Sequence, residues 1–260
     1  MLGHGGNGAR EEPGLKLATL VGLIGVAALA VLLELLIGAG YISPFLIAPP
    51  SQIGVELVDL WREERLVEAL FLTFGSTLAS TAIGIAVGVP AGYLLNRFRL
   101  LAEAYEKWIA GLFSAPLILL YPLFLVLFGR GVLTIIVISS ILATIPIVLN
   151  TMQAFGQVRT VHLNIARAFK LTSWQTFWKV LLPAALPTIF TGIRLGLIYS
   201  MISVVAIEYL VVLGGLGSLV SDLYDRYNIP GMYAAILAVI AVTVVFFKLA
   251  TEIERWLRPM

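Results

Sequence analysis

The chain has no cysteine and very little charge. Its 260 residues include only two histidines, His4 and His162. Disulfides, thiolate metal sites, cysteine nucleophiles and a histidine-based metal site are therefore excluded. Charged residues make up 12% of the sequence, about half the share found in a soluble domain. A chain with so few charges cannot cover its surface with polar groups in water.

Apolar residues fill the composition instead. They account for 60% of the sequence, and the mean hydropathy is +0.98. The net charge is +2 and the Lys and Arg residues are scattered, so nothing indicates a nucleic-acid partner. The composition predicts an all-α integral membrane protein whose main partner is the lipid bilayer.

Six apolar segments are each long enough to cross a bilayer, which takes about 20 mostly apolar residues. The predicted spans are 17–37, 69–96, 108–128, 131–149, 187–210 and 232–251. The first contains Glu34 and exceeds the apolar core of a cleaved signal peptide, so we interpret it as a retained span. Residues 1–16 are predicted to be a disordered cytoplasmic N-terminus and residues 17–260 a single polytopic domain.

The Lys and Arg residues predict the orientation, because cytoplasmic loops carry more of them. With the N-terminus in the cytoplasm, most of these residues lie on the cytoplasmic side. Arg62, Arg65, Arg130 and Arg226 then lie outside. Both termini are therefore predicted to be cytoplasmic.

An amphipathic helix is predicted at the membrane interface between the first two spans. It follows the turn signal Pro49-Pro50, with Ser51 as its N-cap. Its apolar side is predicted to hold Ile53, Leu57, Leu60 and Trp61.

Small residues repeat at four-residue spacing in the second and fifth spans, which lets neighbouring backbones come close. They are Ser76, Ser80, Gly84, Gly88 and Gly92, and then Gly192, Gly196 and Ser200. Packing within one subunit and a sliding or dimer interface both fit this pattern.

Three residues are candidates for a transport pathway or gate. Pro116 and Tyr121 lie in a proline-containing stretch of the third span, where a kink is expected. Glu208 is an ionisable residue in the fifth span, so it should face the bundle interior, another subunit or the outer interface. The alternatives are a static kink and a carboxylate satisfied by water and the glycine-rich backbone that follows it.

The segment 151–182 carries the strongest functional pattern. It predicts two short helices, the first over 161–169 and the second capped by Ser173, with Trp174, Phe177 and Leu181 on one stripe. Protein docking and an interfacial helix that binds only lipid headgroups both fit such a hairpin.

This segment resembles the cytoplasmic loop of permease subunits from binding-protein-dependent ABC importers. That family's loop reads Glu-Ala-Ala, three residues, Gly, nine residues, then Ile-x-Leu-Pro. Here the register holds from Asn164-Ile165-Ala166 through Lys170 to Val180-Leu181-Leu182-Pro183. Asn164 replaces the acidic residue and Lys170 replaces the glycine, which takes positive φ more easily than lysine does. The resemblance runs from about residue 45 onward. Other family segments are similar to APLILLYPLFLVLFGRG and VVAIEYLVVLGGLGSLV in this sequence.

The resemblance implies a six-helix, type I-like ABC importer transmembrane domain in a prokaryotic inner membrane. Its implied partners are cytoplasmic ATPase subunits, a second and identical permease subunit, and an extracytoplasmic solute-binding protein. ATP and magnesium would be held by the ATPase, and this sequence indeed lacks a Gly-x-x-x-x-Gly-Lys-Ser/Thr phosphate loop. The implied docking residues are Asn164, Ile165, Ala166, Arg167, Ala168, Phe169, Lys170, Leu171, Thr172, Val180, Leu182 and Pro183.

The closest similarity is to the taurine, aliphatic-sulfonate and nitrate branch, which implies a small anion as the solute. A pyrimidine or flavin vitamin precursor is the alternative within the same class. An ion-coupled secondary transporter would show inverted repeats or buried ionisable pairs, and no convincing repeat is present. An intramembrane hydrolase would need a catalytic pair, and the predicted spans contain no histidine.

Overall fold

The computed structural model describes residues 13–63 and 65–257, and it contains helices and no strand in those ranges. The long helices are α1 (Pro13–Gly38), α3 (Arg65–Arg97), α6 (Val132–Gly156), α9 (Leu182–Val211) and α11 (Ile229–Leu257). The shorter ones are α2 (Pro50–Arg62), α4 (Arg99–Ser114), α5 (Tyr121–Phe128), α7 (Thr160–Ala168), α8 (Ser173–Thr176) and α10 (Leu216–Asp225). A 3₁₀ turn, Leu117–Leu120, precedes α5, and a π-helical turn, Phe177–Leu181, joins α8 to α9.

Within the described residues, five helices are long and apolar enough to cross a membrane, and six if the bent pair α4 and α5 counts as one span. The all-α membrane class predicted from the sequence is therefore confirmed. α1 begins at Pro13, so it includes the last residues of the segment predicted to be disordered. Residues 1–12 lie outside the described residues.

The third predicted span is broken rather than kinked. Its two helical parts, Leu100–Ser114 and Leu117–Phe128, meet at an angle of 82°. Ala115 is extended, with φ −76° and ψ 142°, because the ring of Pro116 disfavours helical backbone in the residue before it. The segment predicted as one helix, 108–128, therefore holds the end of α4, the 3₁₀ turn and α5.

The centre of the bundle is formed by α3, α6 and α9, with α6 between the other two. Ile147 of α6 is fully buried. A Cβ atom placed on Gly88 of α3 would lie 2.8 Å from Ile147, and one placed on Gly196 of α9 would lie 2.7 Å from it. Both glycines are required for this close approach. The structure thus places the two small-residue stripes against α6 of the same subunit.

The N-terminal helix α1 lies at the edge of the bundle and is tied to α2. The Glu34 carboxylate accepts hydrogen bonds from the Ser51 hydroxyl at 2.7 Å and from the Ser51 amide at 3.1 Å. The prediction that Ser51 caps α2 is wrong. Pro49 occupies the cap position, and Ser51 instead presents its donors to a carboxylate of another helix, where an acidic group at a helix N-terminus is favourable.

The amphipathic helix α2 packs on the bundle through Ile53, Leu57 and Leu60, which contact a core formed mainly by α10 and α11. Leu60 is buried, whereas Trp61 is 59% exposed. The expectation that Trp61 shares the buried side is therefore wrong, because adjacent helical residues lie about 100° apart around the axis.

Candidate functional site

The helix α7 projects from one end of the bundle and carries apolar side chains on its outer side. Val161 is 60% exposed, Ile165 50% and Phe169, just after the helix, 75%. Their four-residue spacing places them on one helical face, and Ala168 is also exposed. We call these four residues the exposed α7 face. The opposite side of α7 holds Ala166, which is buried.

Two backbone hydrogen bonds hold the turn between α7 and α8. The Leu171 amide donates to the Ala166 carbonyl at 3.0 Å and the Lys170 amide donates to Arg167 at 2.9 Å, which is the Schellman arrangement of a helix end. Lys170 has a φ of +49°. The left-handed conformation that the family's glycine permits is therefore adopted here by a lysine.

Thr172 caps the second helix of the loop. Its hydroxyl accepts from the Gln175 amide at 3.3 Å, and the Gln175 side chain accepts from the Thr172 amide at 3.0 Å. This is a capping box. The prediction that Ser173 is the cap is wrong by one residue, because the pairing with Gln175 requires the hydroxyl three positions before it.

Aromatic packing fixes the loop to the bundle. The ring centroid of Tyr93 in α3 lies 5.0 Å from that of Phe155 in α6 and 5.0 Å from that of Phe177 in the π-helical turn. Both contacts are edge-to-face, a favourable geometry for aromatic pairs. The loop is thus anchored on two central helices. Trp174, expected on the same apolar stripe, is mostly exposed.

The predicted docking residues fall into three groups by exposure. Those at the surface are Asn164, Ile165, Arg167, Ala168, Phe169, Lys170, Thr172 and Pro183. Leu171, Val180 and Leu182 are half-buried, and Ala166 is buried. Val180 lies in the π-helical turn, and Leu182 and Pro183 begin α9.

The three pathway candidates lie in different surroundings. Pro116 is exposed at the bend between α4 and the 3₁₀ turn. Tyr121 is half-buried and packs against a core of α6 and α9 residues that includes Ile138 and Ile207. Glu208 is fully buried near the end of α9, which is the end of this helix away from the loop.

Glu208 is held by groups from two other helices, α3 and α10. The Thr73 hydroxyl of α3 donates to the carboxylate, 2.8 Å from Oε2 and 3.0 Å from Oε1. The Gly217 amide of α10 donates to Oε2 at 3.2 Å. The Ser218 hydroxyl lies 2.8 Å from the Glu208 carbonyl. We call Thr73, Glu208, Gly217 and Ser218 the Glu208 cluster.

The glycines after Glu208 leave room for its side chain. A Cβ atom on Gly215 would lie 2.2 Å from the Glu208 carboxyl carbon, and one on Gly217 would lie 2.0 Å from the Val205 carbonyl oxygen. The φ of Gly215 is +90°. α10 therefore packs directly on α9, and the glycine-rich turn encloses the carboxylate.

A cavity of about 650 Å³ lies beside this cluster between α9, α10 and α11. Met201 and Tyr209 of α9, Gly217 of α10 and Thr243 of α11 line it, and no charged residue is among its described lining. Ile202 and Ile240, which also line it, are more than half exposed, so the cavity opens on the side of the subunit.

Several of these residues are absent from the sequence-based predictions. α10 was missed, although Leu216, Leu219 and Leu223 are buried on one side of it at a spacing that indicates an amphipathic helix. Thr73, Ser218 and Tyr93 carry no local signal of their roles, because their partners are distant in sequence. The described residues contain no group of His, Cys, Asp or Glu that could hold a metal ion.

The long apolar helices, joined by short loops and interfacial helices, define the class as a polytopic membrane protein. Residues 81–259 match the family model of the binding-protein-dependent transport system inner membrane component. The chain belongs to this family of ABC importer permeases, which confirms the resemblance drawn from the loop motif.

Relatives with assigned transport roles agree with this family and with the nitrate-type branch. The chain is 27% identical to the formylaminopyrimidine transport permease protein ThiX of Halalkalibacterium halodurans, over 84% of this chain and 86% of that protein. It is 30% identical to the nitrate import permease protein NrtB of Leptolyngbya laminosa, over 75% of this chain and 72% of that protein. A chain from inward-facing structures of the MetNI methionine ABC transporter aligns with a TM-score of 0.62 and 27% identity, over 73% of this chain and 94% of that one.

Proposed function

We propose that this permease forms the translocation path of an ATP-driven importer and that its exposed α7 face docks a cytoplasmic ATPase. The observation that carries the docking role is the two-sided character of α7. Its inner side packs on the bundle through the buried Ala166. The side chains of Val161, Ile165 and Phe169 point away from the bundle and are exposed. Apolar side chains clustered at a polar boundary are typical of a protein contact.

In this arrangement the loop end of the bundle and both chain termini lie in the cytoplasm of a prokaryotic cell. The ATPase binds ATP and magnesium, and this subunit supplies no catalytic group. An external solute-binding protein delivers the solute at the other end, near the Glu208 cluster. The excess of Lys and Arg on the loop side supports this orientation.

The transport path is proposed to run along the cavity beside α9, closed by a second copy of this subunit. The cavity's lateral opening supports this, since it leaves one side of the groove free for a second subunit to close. The Glu208 cluster ties α3, α9 and α10 together at the outer end, so it can hold the outer gate as one unit.

The solute is proposed to be a small anion of the nitrate type, with a pyrimidine vitamin precursor as the second candidate. The nitrate and formylaminopyrimidine permeases named above support each candidate. The cavity lining has no charged side chain among its described residues, so we assign the choice of solute mainly to the binding protein.

Docking is tested by co-purification of the ATPase with an Ala168→Glu variant. A bulky carboxylate at this exposed position should abolish the complex, because it places a charge in an apolar contact. Gln153→Glu, exposed in the last turn of α6 and outside the exposed α7 face, is the matched control and should leave the complex intact. An unchanged yield of complex with Ala168→Glu would contradict the docking role.

The gate is tested with Glu208→Gln in proteoliposomes that contain the ATPase and the binding protein. Transport and substrate-stimulated ATP hydrolysis should both fall, since the amide has one acceptor oxygen where the carboxylate has two. If both persist at wild-type rates, Glu208 serves packing alone.

Parallel assays with nitrate and a formylaminopyrimidine discriminate the two solute classes.

A further inference from the structure

A second cavity, of about 550 Å³, lies between the end of α3 and the inner side of the docking loop. The aromatic rings of Tyr93, Phe155 and Phe177 form part of its lining. We call it the loop cavity. It is separate from the exposed α7 face, because α7 contributes residues such as Arg167 from another side of the helix.

Two arginines, Arg97 and Arg167, belong to the lining of the loop cavity. Neither Arg97 nor Arg167 forms an ion pair with any carboxylate in the described part of the chain, and the cavity's described lining includes no Asp or Glu. The Arg167 guanidinium donates to Asn164 Oδ1 at 3.4 Å. At the other end of the bundle, Arg65 and Arg226 both pair with Asp222.

The cavity therefore has a mixed lining, in which aromatic and aliphatic side chains stand beside the two arginines and the polar residues Asn96, Ser173 and Thr176. Guanidinium groups bind phosphate oxygens well, with paired hydrogen bonds. Aromatic rings next to such a site suit a hydrocarbon chain rather than a fully hydrated ion. Basic pockets between membrane helices are a recurrent setting for anionic lipid headgroups.

We propose that the loop cavity binds an anionic phospholipid, with its phosphate held by Arg97 and Arg167 and an acyl chain along Tyr93 and Phe177. The lipid would bridge the end of α3 and α7, and so brace the docking loop from its inner side. This inference does not depend on ATPase docking, because the site lies within the subunit and is tested on this chain alone.

The test is native mass spectrometry of the full-length chain in detergent, titrated with phosphatidylglycerol or with phosphatidylcholine of the same acyl chains. Wild-type protein should bind one phosphatidylglycerol in preference to phosphatidylcholine. The Arg97→Gln/Arg167→Gln variant should lose affinity for phosphatidylglycerol by about fivefold for each arginine. Arg159→Gln/Arg255→Gln removes the same charge from two exposed arginines outside the cavity lining and should bind as wild type does.

Equal binding of the two lipids, an unchanged affinity in the glutamine double variant, or an equal loss in the control would each overturn the proposal. Displacement of the lipid by inorganic phosphate would identify a free-oxyanion site instead, which also overturns it. The Arg97→Lys/Arg167→Lys variant keeps both positive charges and should retain the preference for phosphatidylglycerol. It therefore controls for the possibility that the glutamine variant loses binding because it misfolds. Loss of that preference in a folded lysine variant would contradict the proposal as well.

Discussion

The Thr73 hydroxyl joins α3 to the Glu208 carboxylate of α9, and the same hydroxyl oxygen accepts the Leu216 amide of α10 at 2.9 Å. One side chain therefore satisfies polar groups of two other helices in a fully buried place. Leu216 is also fully buried, so neither partner can turn to solvent for a replacement.

Thr73→Val should destabilise the subunit by at least about 1 kcal/mol, because it leaves a buried amide and part of a carboxylate without a partner. Thermal unfolding in detergent measures the loss. Thr151→Val is the matched control. Its hydroxyl is buried on α6 with no hydrogen-bond partner among the described residues, so the same change there should cost little. Equal effects at the two positions would mean that the Thr73 hydrogen bonds contribute nothing.

The close contact of α3, α6 and α9 at Ile147 gives a second prediction. Gly88→Ala and Gly196→Ala should each destabilise the bundle by about 1–3 kcal/mol, because the added methyl group overlaps Ile147. Gly75→Ala, on the same helix as Gly88, meets no atom within 4 Å and should be neutral or slightly stabilising, since alanine favours helix.

The cause of that loss can be isolated with a double variant. Ile147→Ala removes the side chain that the new methyl group meets, so Gly88→Ala/Ile147→Ala should be less destabilised than the sum of the two single changes predicts. Additive losses in thermal unfolding would place the strain elsewhere than at Ile147.

The parts of the fold that were predictable rest on local patterns. Long apolar runs indicated the membrane helices, and the register from Asn164 to Pro183 indicated the helical loop between α6 and α9. The 82° break at Pro116 was harder to predict, because a proline in a span fits a mild kink and a full break equally well. The broken form depends on how α5 packs against α6 and α9.

The contacts of the candidate site were harder still to predict from the sequence. Glu208 was singled out as an ionisable residue in an apolar span, but its partner Thr73 lies 135 residues away in sequence. No pattern along the chain joins them, since the pairing arises only when α3 and α9 pack together. Lys170 was the opposite case: the motif marked its position as one that favours glycine, and its positive φ follows from the helix end formed there.

Lys170 provides a third prediction. A non-glycine residue in the left-handed region costs about 1–2 kcal/mol, so Lys170→Gly should stabilise the loop by up to about 1 kcal/mol. Hydrogen exchange of the Leu171 amide, which donates to Ala166, should slow. Lys170→Ala removes the same charge but keeps the strained φ, so slower exchange in that variant would attribute the effect to charge instead of backbone conformation.

The fourth prediction concerns the tie between α1 and α2. The described side chains between Leu20 and Leu35 are mostly exposed, so this part of α1 has little contact with the rest of the bundle. Two hydrogen bonds from Ser51 to Glu34 tie the C-terminal part of α1 to α2. Glu34→Ala should loosen α1, which is measurable as faster proteolysis in the segment 39–49, while thermal unfolding of the remaining bundle changes little.

Glu63→Ala, at an exposed position just after α2, is the control and should leave the cleavage rate unchanged. Equal cleavage in wild type and Glu34→Ala would show that α1 is held by other contacts, because loss of the carboxylate removes both acceptors of Ser51 at once.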